Sequence, residues 1–322
     1  MDRRSFLATS AFTALAASMG NIAHADWNPR RPLNIIVPYN AGGGTDLYAR
    51  AIAKAAESRI SVPFVIVNKP GAGGLTGAIE ASAARPDGNT ILLTSSGSFL
   101  LGSMFKDAAV NPFDSFQTIA QVGNIKGSIA VPVDSPFQTL SDLVDAAKKT
   151  PGSLKWGHNG RGGTFHVMGQ TFLNNLGLEC TDVPFKGGAK SRAAIIGGQL
   201  DFGVLGIQQS TGFNDKMRVL AIFDGERDRL FPEVPTASEL GFDVPIISSP
   251  IILFAPNKVD VEIVKGMEAA IAEIAAAPEF VKIIEAKGTV SVYRKGDDAE
   301  ANLRAMQAAA TPVIDALKSA GG

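Results

Sequence analysis

Short apolar segments alternate with longer amphipathic segments along most of this chain. Residues 33–37 are an apolar run of strand length, and residues 45–59 follow with apolar positions spaced as on one face of a helix. This succession predicts an α/β fold with mainly parallel sheets, whose ligand-binding edge is formed by loops at the carboxyl ends of the strands. Further strands are predicted at residues 64–67, 90–94, 129–131, 154–157, 202–205 and 217–223, and further helices at residues 75–84, 140–149, 164–176, 189–196, 236–240, 261–277 and 298–319.

The pattern also divides the chain into two lobes. The chain crosses from one to the other near residues 123–126 and returns near residues 245–254, with no long flexible linker at either crossing. We therefore expect a first lobe of residues 26–124 plus 247–322, a second lobe of residues 125–246, and a stiff hinge between them.

One local pattern, Asn-x-x-Gly-Gly-Thr, occurs once in each lobe. It is found at Asn40-Ala41-Gly42-Gly43-Gly44-Thr45 and at Asn159-Gly160-Arg161-Gly162-Gly163-Thr164, each time between a predicted strand and a predicted helix. Glycines let a ligand approach bare amides, and a threonine can cap a helix whose free N–H groups carry the positive end of the dipole. Two such ends can hold one small anion between them. Two ordinary strand–helix turns remain the alternative, although the paired occurrence favours the anion site.

Residues 1–25 have the organisation of a cleaved export signal. Arg3 and Arg4 form a positive start, residues 8–17 are mildly apolar, and Ala23-His24-Ala25 is a small-x-small cleavage site. The apolar part is too short to span a bilayer as an anchored helix. The arginine pair resembles a twin-arginine signal, and an ordinary secretory signal is the alternative. Either signal predicts export to the periplasm.

The charge composition bears on which kinds of molecule this protein binds. Removing Asp2, Arg3 and Arg4 from the whole-chain totals of 30 basic and 31 acidic side chains leaves 28 and 30, a net charge of −2. This balance does not favour a nucleic-acid partner or a membrane-surface partner. The single Cys180 excludes an intramolecular disulfide. No segment after residue 25 has the uninterrupted apolar length of a membrane span.

Several further motifs occur in a fixed order. They are residues 31–38, Gly42-Gly43-Gly44-Thr45-Asp46, Ala49-Arg50, Asn68-Lys69-Pro70-Gly71-Ala72-Gly73-Gly74, Arg85-Pro86-Asp87-Gly88, Val183-Pro184-Phe185-Lys186-Gly187-Gly188, Gly197-Gly198-Gln199-Leu200-Asp201 and Pro232-Glu233-Val234-Pro235-Thr236. This series, which covers essentially the whole mature chain, resembles the tripartite tricarboxylate transporter receptors, the periplasmic solute-binding subunits of a secondary transport system. Two loops depart from the family pattern, because Asn40-Ala41 replaces a usual proline and residues 158–163 replace a serine-rich glycine loop. These departures concern the identity of the ligand.

The resemblance implies a two-lobed periplasmic-binding-protein fold with a ligand cleft between the lobes. It also implies a monomeric receptor, without cofactors, that captures a small carboxylate and delivers it to the membrane permease subunits of a tripartite tricarboxylate transporter. The candidate ligands are di- and tricarboxylates, acidic amino acids and aromatic acids. A ligand-sensing receptor that signals to a sensor protein is an alternative.

An enzyme is a weaker alternative. It would need Ser95 or Cys180 as a nucleophile with His158 or His166 as a base. The sequence has no Gly-x-Ser-x-Gly elbow, no zinc signature and no phosphate loop. The two histidines also have no third ligand spaced for a metal site. His166 is expected to be a helix residue with a satisfied ring, and Cys180 a small buried hydrophobe.

Ligand contacts are expected from loops of both lobes. Asp46 is expected to order the first loop, because its charge has the wrong sign for an anion. Arg161 is a candidate for a second carboxylate through its planar fork, with a solvent-facing arginine as the alternative. The resemblance places Lys186 near the pocket. The expected ligand-binding residues are Ala41, Gly42, Gly43, Gly44, Thr45, Asp46, Gly73, Gly74, Thr76, Ser95, Ser96, Asn159, Arg161, Gly163, Thr164, Lys186 and Asp201.

Overall fold

The computed structural model describes residue 27, residues 29–244, residue 247 and residues 249–319, so the expected export signal lies outside the described residues. The strands are β1 (Leu33–Val37), β2 (Phe64–Asn68), β3 (Thr90–Ser95), β4 (Phe116–Asn124), β5 (Gly127–Pro132), β6 (Lys155–His158), β7 (Thr181–Pro184), β8 (Phe202–Gly206), β9 (Met217–Phe223), β10 (Pro250–Pro256) and β11 (Val290–Lys295). The α-helices are α1 (Gly44–Ala56), α2 (Leu75–Ser82), α3 (Ser96–Phe105), α4 (Leu140–Lys149), α5 (Thr164–Asn175), α6 (Gly188–Ile196), α7 (Val261–Ala276), α8 (Pro278–Glu285) and α9 (Gly296–Ser319). Short 3₁₀ helices lie at Ala72–Gly74 and Ile207–Ser210.

These strands form two mixed sheets. The six-stranded sheet has the order β11-β4-β10-β3-β1-β2, and the five-stranded sheet has the order β7-β6-β8-β5-β9. Strand β1 is parallel to β2 and β3, and β6 is parallel to β7 and β8, but the other pairings are antiparallel. The prediction of mainly parallel sheets is therefore wrong. The returning strand β10 enters between β3 and β4 in the opposite direction, which makes both of its pairings antiparallel.

Each sheet is the centre of one lobe, and the chain has the two-lobed α/β fold expected from its sequence. The strands of the first lobe come before residue 125 and after residue 249, and those of the second lobe lie between. Only Ile125 and Lys126 separate β4 from β5. The amide of Ile125 donates to the carbonyl of Ser249 (3.0 Å), so the two crossing segments are hydrogen-bonded to each other.

Local chemistry explains where the sequence prediction of helices holds and where it fails. Helix α4 has the predicted bounds, and it begins with a capping box between Thr139 and Asp142. In place of the helix predicted at residues 236–240, Thr236 forms a β-bridge with Ile222 and residues 237–240 form a turn. Helix α3 was not predicted, because it begins with small polar residues and is buried on most sides. A helix buried on most sides has no amphipathic pattern in its sequence. The list of predicted elements also lacks strands β4, β7, β10 and β11 and helix α8.

The caps of α1 and α5 differ from the prediction, although both helices begin within one residue of their predicted starts. Their N-cap residues are Gly43 and Gly163, and neither helix has a side-chain cap. Thr45 and Thr164 lie inside the first turns, so the expectation that they cap the helices is wrong. None of the helices in the described ranges is both long enough and apolar enough to cross a membrane.

Candidate functional site

Three helices begin at one small cavity between the lobes. This inner cavity, of about 30 Å³, is lined by Gly43 and Gly44 at the start of α1, Phe165 in the first turn of α5 and Gly188 at the start of α6. The N-cap residue of each of these three helices is a glycine, which has no side chain to cap the helix. The first N–H groups of a helix have no partner within it and carry the positive end of its dipole, so the cavity favours an anion. Its other lining residues are Tyr39, Thr45, Ser95, Ile125, Asn159, Gly206, Gln208 and Gln209.

Two side-chain amides at the inner cavity each have a buried oxygen without a partner. Asn159 and Gln208 are 5% and 7% exposed, and within the described part of the chain nothing hydrogen-bonds to Oδ1 of Asn159 or Oε1 of Gln208. Leaving a buried polar atom unpaired costs about 1–3 kcal/mol. A molecule that donates a hydrogen bond to these oxygens would remove that cost. The inner cavity therefore offers acceptors as well as N–H donors.

A larger outer cavity adjoins the inner one. Its volume is about 430 Å³, and the two cavities share Gly43, Gly44, Gln208 and Gln209. A cavity of this size lies in the usual range for small-molecule sites. The remaining lining residues are Ala41, Gly42, Asp46, Leu47, Arg50 and Lys287 from the first lobe, and Arg192, Thr211 and Phe213 from the second.

The first glycine loop, residues 40–45, is fixed by Asp46. Its carboxylate accepts the amide of Gly42 (2.9 Å), two N–H groups of Arg50 (2.8 and 3.1 Å) and Nδ2 of Asn68 (3.0 Å). Burial alone would raise the pKa of Asp46, but these hydrogen bonds bring the pKa below its usual value. The carboxylate therefore stays charged with its acceptor positions filled. It orders the loop, as its charge led us to expect.

Two histidines hold the second glycine loop, residues 159–164. Nδ1 of His158 accepts the amide of Gly160 (3.1 Å), and Nδ1 of His166 accepts the amide of Gly162 (3.2 Å). A nitrogen that accepts a hydrogen bond carries no proton, so the hydrogen of each neutral ring lies on Nε2. Both rings therefore have a fixed tautomer, and His166 is the helix residue expected from the sequence, with its Nδ1 hydrogen-bonded.

Asp182 completes a polar cluster beneath this loop. His158, His166 and Asp182 each offer one atom that could bind a metal, and these three atoms lie within 4.8 Å of one another. The expectation that no third ligand group accompanies the two histidines is therefore wrong. Asp182 comes from β7, and spacing along the chain does not reveal this contact. Nε2 of His158 donates to Asp182 (3.2 Å), and Arg161 binds the same carboxylate with two N–H groups (3.0 and 2.8 Å).

The chemistry of this cluster suits loop positioning better than metal binding. Both rings use the Nδ1 lone pair for a loop amide and carry a proton on Nε2, so neither has a nitrogen free for a cation. The hydrogen bond from His158, together with the nearby charge of Arg161, lowers the pKa of Asp182 to about 2 despite its burial. Asp182 therefore stays charged and holds both the His158 ring and the Arg161 side chain.

Protonation of His166 is expected to set the acid limit of stability. Burial, with the neighbouring His158, Arg161 and Lys106, lowers the pKa of His166 from 6.5 to about 3, against the opposing effect of Asp182. Between these pH values unfolding takes up a proton. The stability due to neutral His166 is therefore complete above pH 6.5 and falls by roughly 1.4 kcal/mol per pH unit towards pH 3.

Denaturant unfolding of the wild type and of His166→Asn, from about pH 7 to about pH 4, measures this effect. Asparagine cannot titrate but keeps a side-chain oxygen for the amide of Gly162. The free energy of unfolding should therefore depend less steeply on pH in the variant. Parallel curves would assign the acid sensitivity to other groups.

Polar groups join the lobes beside the inner cavity. Oγ of Ser98, in α3, accepts the amide of Thr164 (3.1 Å) and Nδ2 of Asn159 (3.3 Å). Because Ser98 belongs to the first lobe and the other two residues to the second, these bonds hold the start of α5 against α3.

Main-chain atoms also meet across the cleft. The main-chain amide of Asn40 donates to the carbonyl of Lys186 (3.3 Å), and the side-chain Nδ2 of Asn40 donates to the same carbonyl (2.7 Å). At Gly160 the two main chains approach so closely that a Cβ would lie 2.9 Å from Cα of Gly73. The lobes are therefore closed on each other around the cavities.

Eight of the expected ligand-binding residues line the two cavities. These are Ala41, Gly42, Gly43, Gly44, Thr45, Asp46, Ser95 and Asn159. The other nine lie outside both linings, and for them a ligand contact stays a prediction. They are Gly73, Gly74, Thr76, Ser96, Arg161, Gly163, Thr164, Lys186 and Asp201.

The surroundings of these outlying residues explain their positions. Arg161 is half exposed, and its fork is engaged by Asp182. Asp201 accepts the amide of Lys155 (2.7 Å). Lys186 offers its carbonyl to Asn40, while its side chain is exposed.

The candidate nucleophiles have other partners. Oγ of Ser95 lies 2.6 Å from Oγ of Ser249 and 3.3 Å from Oγ of Ser98. Cys180 is half-buried, which is less than the buried position expected. Burial raises the pKa of its thiol to about 11, so almost none of it is the reactive thiolate at neutral pH.

Several lining residues were not found by sequence reasoning. Tyr39 precedes the first glycine loop, and Gln208 and Gln209 follow β8, where polar residues after a strand were a usable signal. Arg192 and Phe213 had no such signal, because a helix and a later turn bring them to the outer cavity.

Comparison with known proteins gives one consistent result. The sequence model of the family described as "Tripartite tricarboxylate transporter family receptor" matches residues 48–318. The "UPF0065 protein in gbd 5'region" of Cupriavidus necator is 30% identical over 290 residues, which are 87% of this chain and 87% of that protein. The solved structure of periplasmic binding protein BugD is 25% identical, covers 91% of this chain and 98% of its own, and has a TM-score of 0.82. MatC from Rhodopseudomonas palustris, solved with bound malate, is 24% identical, covers 89% and 99%, and has a TM-score of 0.83.

Proposed function

Because this chain belongs to the tripartite tricarboxylate transporter receptor family, we propose that it captures a small carboxylate between its lobes and delivers it to the membrane permease subunits of such a transporter. The family consists of periplasmic solute-binding receptors. The chemical class of the ligand and the delivery step are the proposed parts. Di- and tricarboxylates, acidic amino acids and aromatic acids are the ligand classes under consideration.

The convergence of three helix starts on the inner cavity carries this proposal. Amides of α1 come from the first lobe, and those of α5 and α6 come from the second, so a carboxylate bound there contacts both lobes at once. A ligand with that property stabilises the closed form, because it loses one set of partners when the lobes separate. The unpaired oxygens of Asn159 and Gln208 would accept hydrogen bonds from a hydroxyl or ammonium group on the ligand, or from a water molecule.

The lining residues are proposed to touch the ligand, and the outlying ones to shape the loops. Arg161 would reach a ligand only by leaving Asp182, so we assign it the role of holding the second glycine loop. Gly163 and Thr164 place the start of α5, and Gly73 sets how closely the lobes approach.

Lobe bounds, hinge motion and export complete the proposal. The lobes comprise residues 26–124 plus 247–322 and residues 125–246, and the monomer opens about the paired crossing at Ile125 and Ser249. Residues 1–25 are proposed to direct export and to be removed. A signalling role is the alternative to uptake, and a gene for a large multi-span permease beside this one would favour uptake.

Binding of small carboxylic acids should raise the stability of the purified mature protein. An acid present at 100 times its dissociation constant adds about 2.7 kcal/mol to the free energy of unfolding. A thermal-shift screen should therefore find stabilising acids, and calorimetry then gives their affinities. Malate is a reasonable first acid, since it is bound in a solved protein of this fold.

The neutral amide of each acid is the matched control. It has nearly the same shape, but it lacks the charge that the helix starts favour. Equal stabilisation by an acid and its amide would contradict an anion site. No stabilisation by any acid in the classes above would contradict the proposed function as a whole.

A further inference from the structure

The outer cavity contains two arginines with different partners. Arg50 forms two hydrogen bonds with the Asp46 carboxylate, so its charge is neutralised within the first lobe. Arg192 projects from α6 of the second lobe, is half-buried, and forms no ion pair with any acidic side chain in the described ranges. Burial without an acidic neighbour lowers the pKa of Arg192 below its usual value. Of the two arginines in the cavity, Arg192 is therefore the one that lacks a counter-charge.

Neighbouring side chains fix the guanidinium of Arg192. Its Nη1 donates to Oε1 of Gln209 (2.7 Å), and its Cζ lies 4.4 Å from the centre of the Phe213 ring. Stacking on an aromatic ring fixes the plane of the fork, and the hydrogen bond to Gln209 fixes its rotation. The remaining N–H groups are donors without a partner among the described residues. Such a pre-organised fork suits a planar anion, which it can bind with two parallel hydrogen bonds.

The lining of the outer cavity indicates which kind of molecule could reach from Arg192 to the inner cavity. Leu47 of the first lobe and Phe213 of the second give the outer cavity apolar surface on both sides. Gly43, Gly44, Gln208 and Gln209 belong to both cavities, so one molecule can occupy them together. From the inner cavity outwards, the surface is first polar, then apolar, then cationic at Arg192. A short hydrocarbon chain with an acid group at each end matches this order.

We propose that Arg192 binds a second carboxylate of the ligand, so that the receptor selects dicarboxylic acids over monocarboxylic acids of the same length. This inference rests on the proposed function, since it assumes that a first carboxylate occupies the inner cavity. The exposed Lys287 at the rim adds positive charge but has no partner that fixes its position. Arg161, the candidate expected from the sequence, is engaged by Asp182 and lies outside both cavities.

Calorimetry with matched acids tests the assignment of Arg192. The acids are succinic, glutaric and adipic acid, each paired with the monoacid of equal chain length, butyric, valeric or hexanoic acid. The proteins are the wild type, Arg192→Gln and Arg192→Lys. Arg304→Gln serves as the matched control, because Arg304 stacks on Phe113 at a similar distance of 4.3 Å but lies at a different cavity.

We expect the wild type to bind at least one diacid more tightly than its paired monoacid. Arg192→Gln should weaken that diacid roughly 10- to 150-fold, as expected for a lost charge-assisted contact, and hardly change the monoacid. Arg192→Lys should recover part of the loss, because an ammonium group cannot reproduce the planar fork. Arg304→Gln should bind like the wild type.

Other results would separate this inference from the proposed function. An equal loss for diacid and monoacid in Arg192→Gln, or no loss for the diacid, would overturn the role of Arg192. A wild type that prefers monoacids would overturn it as well. In all three cases the receptor function would stand, because acids still bind. A wild type that binds none of the acids and none of the other carboxylate classes would overturn both.

Discussion

Gly160→Ala should give a folded receptor that closes poorly on its acid. The added Cβ would lie 2.9 Å from Cα and 3.2 Å from the amide nitrogen of Gly73, which are main-chain atoms of the other lobe. Main-chain atoms cannot rotate away as the end of a side chain can, so the lobes would have to separate. Overpacking of this kind costs about 1–3 kcal/mol. Because this cost applies to the closed form alone, affinity for the acid should fall roughly 5- to 150-fold.

Gly152→Ala is the control for backbone strain. Both glycines have a positive φ, +126° at Gly160 and +75° at Gly152, but a Cβ at Gly152 would meet nothing within 4 Å. Both variants should lose stability, and only Gly160→Ala should lose affinity. Small-angle scattering adds a direct readout, since a saturating acid should compact the wild type and Gly152→Ala. Wild-type affinity and compaction in Gly160→Ala would show that this contact is absent from the ligand-bound form.

Gly44→Ala should weaken acid binding while leaving the unliganded protein as stable as the wild type or more so. Gly44 is the first residue of α1, where replacing glycine by alanine in a compatible conformation adds about 0.4–1 kcal/mol to the free energy of unfolding. Its Cβ, however, would lie 2.2 Å from Nε2 of Gln208 and 2.7 Å from Cδ1 of Ile125. The open form can move both side chains aside. The closed form has no room for that, because the inner cavity holds only about 30 Å³.

The expected loss of affinity for Gly44→Ala is roughly 10- to 150-fold, from the lost amide contacts and the filled cavity. Gly102→Ala makes the same chemical change in α3, where a Cβ would meet nothing within 4 Å. That variant should gain stability and bind acid like the wild type. Chemical unfolding without ligand and calorimetry with ligand measure the two effects separately. Unchanged affinity in Gly44→Ala would remove the start of α1 from the site.

The helix starts at the site could be predicted because their signals are local. Each glycine loop lies between an apolar run and an amphipathic segment, and this order alone puts Gly43 and Gly163 at the starts of α1 and α5. The local sequence did not reveal why glycine is needed at these two positions. Both have a negative φ, so glycine serves for space and for bare amides at these two positions, with no need for an unusual backbone angle.

The partners of side chains from distant segments could not be predicted. Asp182 meets His158 and Arg161 only because β7 pairs in parallel with β6, a register that spacing along the chain does not contain. Arg161 was the more conspicuous arginine, since it lies inside a glycine loop. Arg192 has no comparable sequence context, and its importance becomes visible only when Gln209 and Phe213 are placed around it.

The two lobes supply different kinds of groups to the cavities. The first lobe contributes mainly the glycine-loop main chain, beside an Asp46 whose partners are already fixed, whereas the second contributes the side chains of Arg192, Gln209 and Phe213. Main-chain groups are the same whichever residue is encoded, but side chains change one mutation at a time. After gene duplication, substitutions within residues 188–213 would therefore change the side-chain surface that faces the acid while leaving the glycine-loop main chain as it is. The first lobe would keep its ancestral sequence, and the copies would share its half of the site.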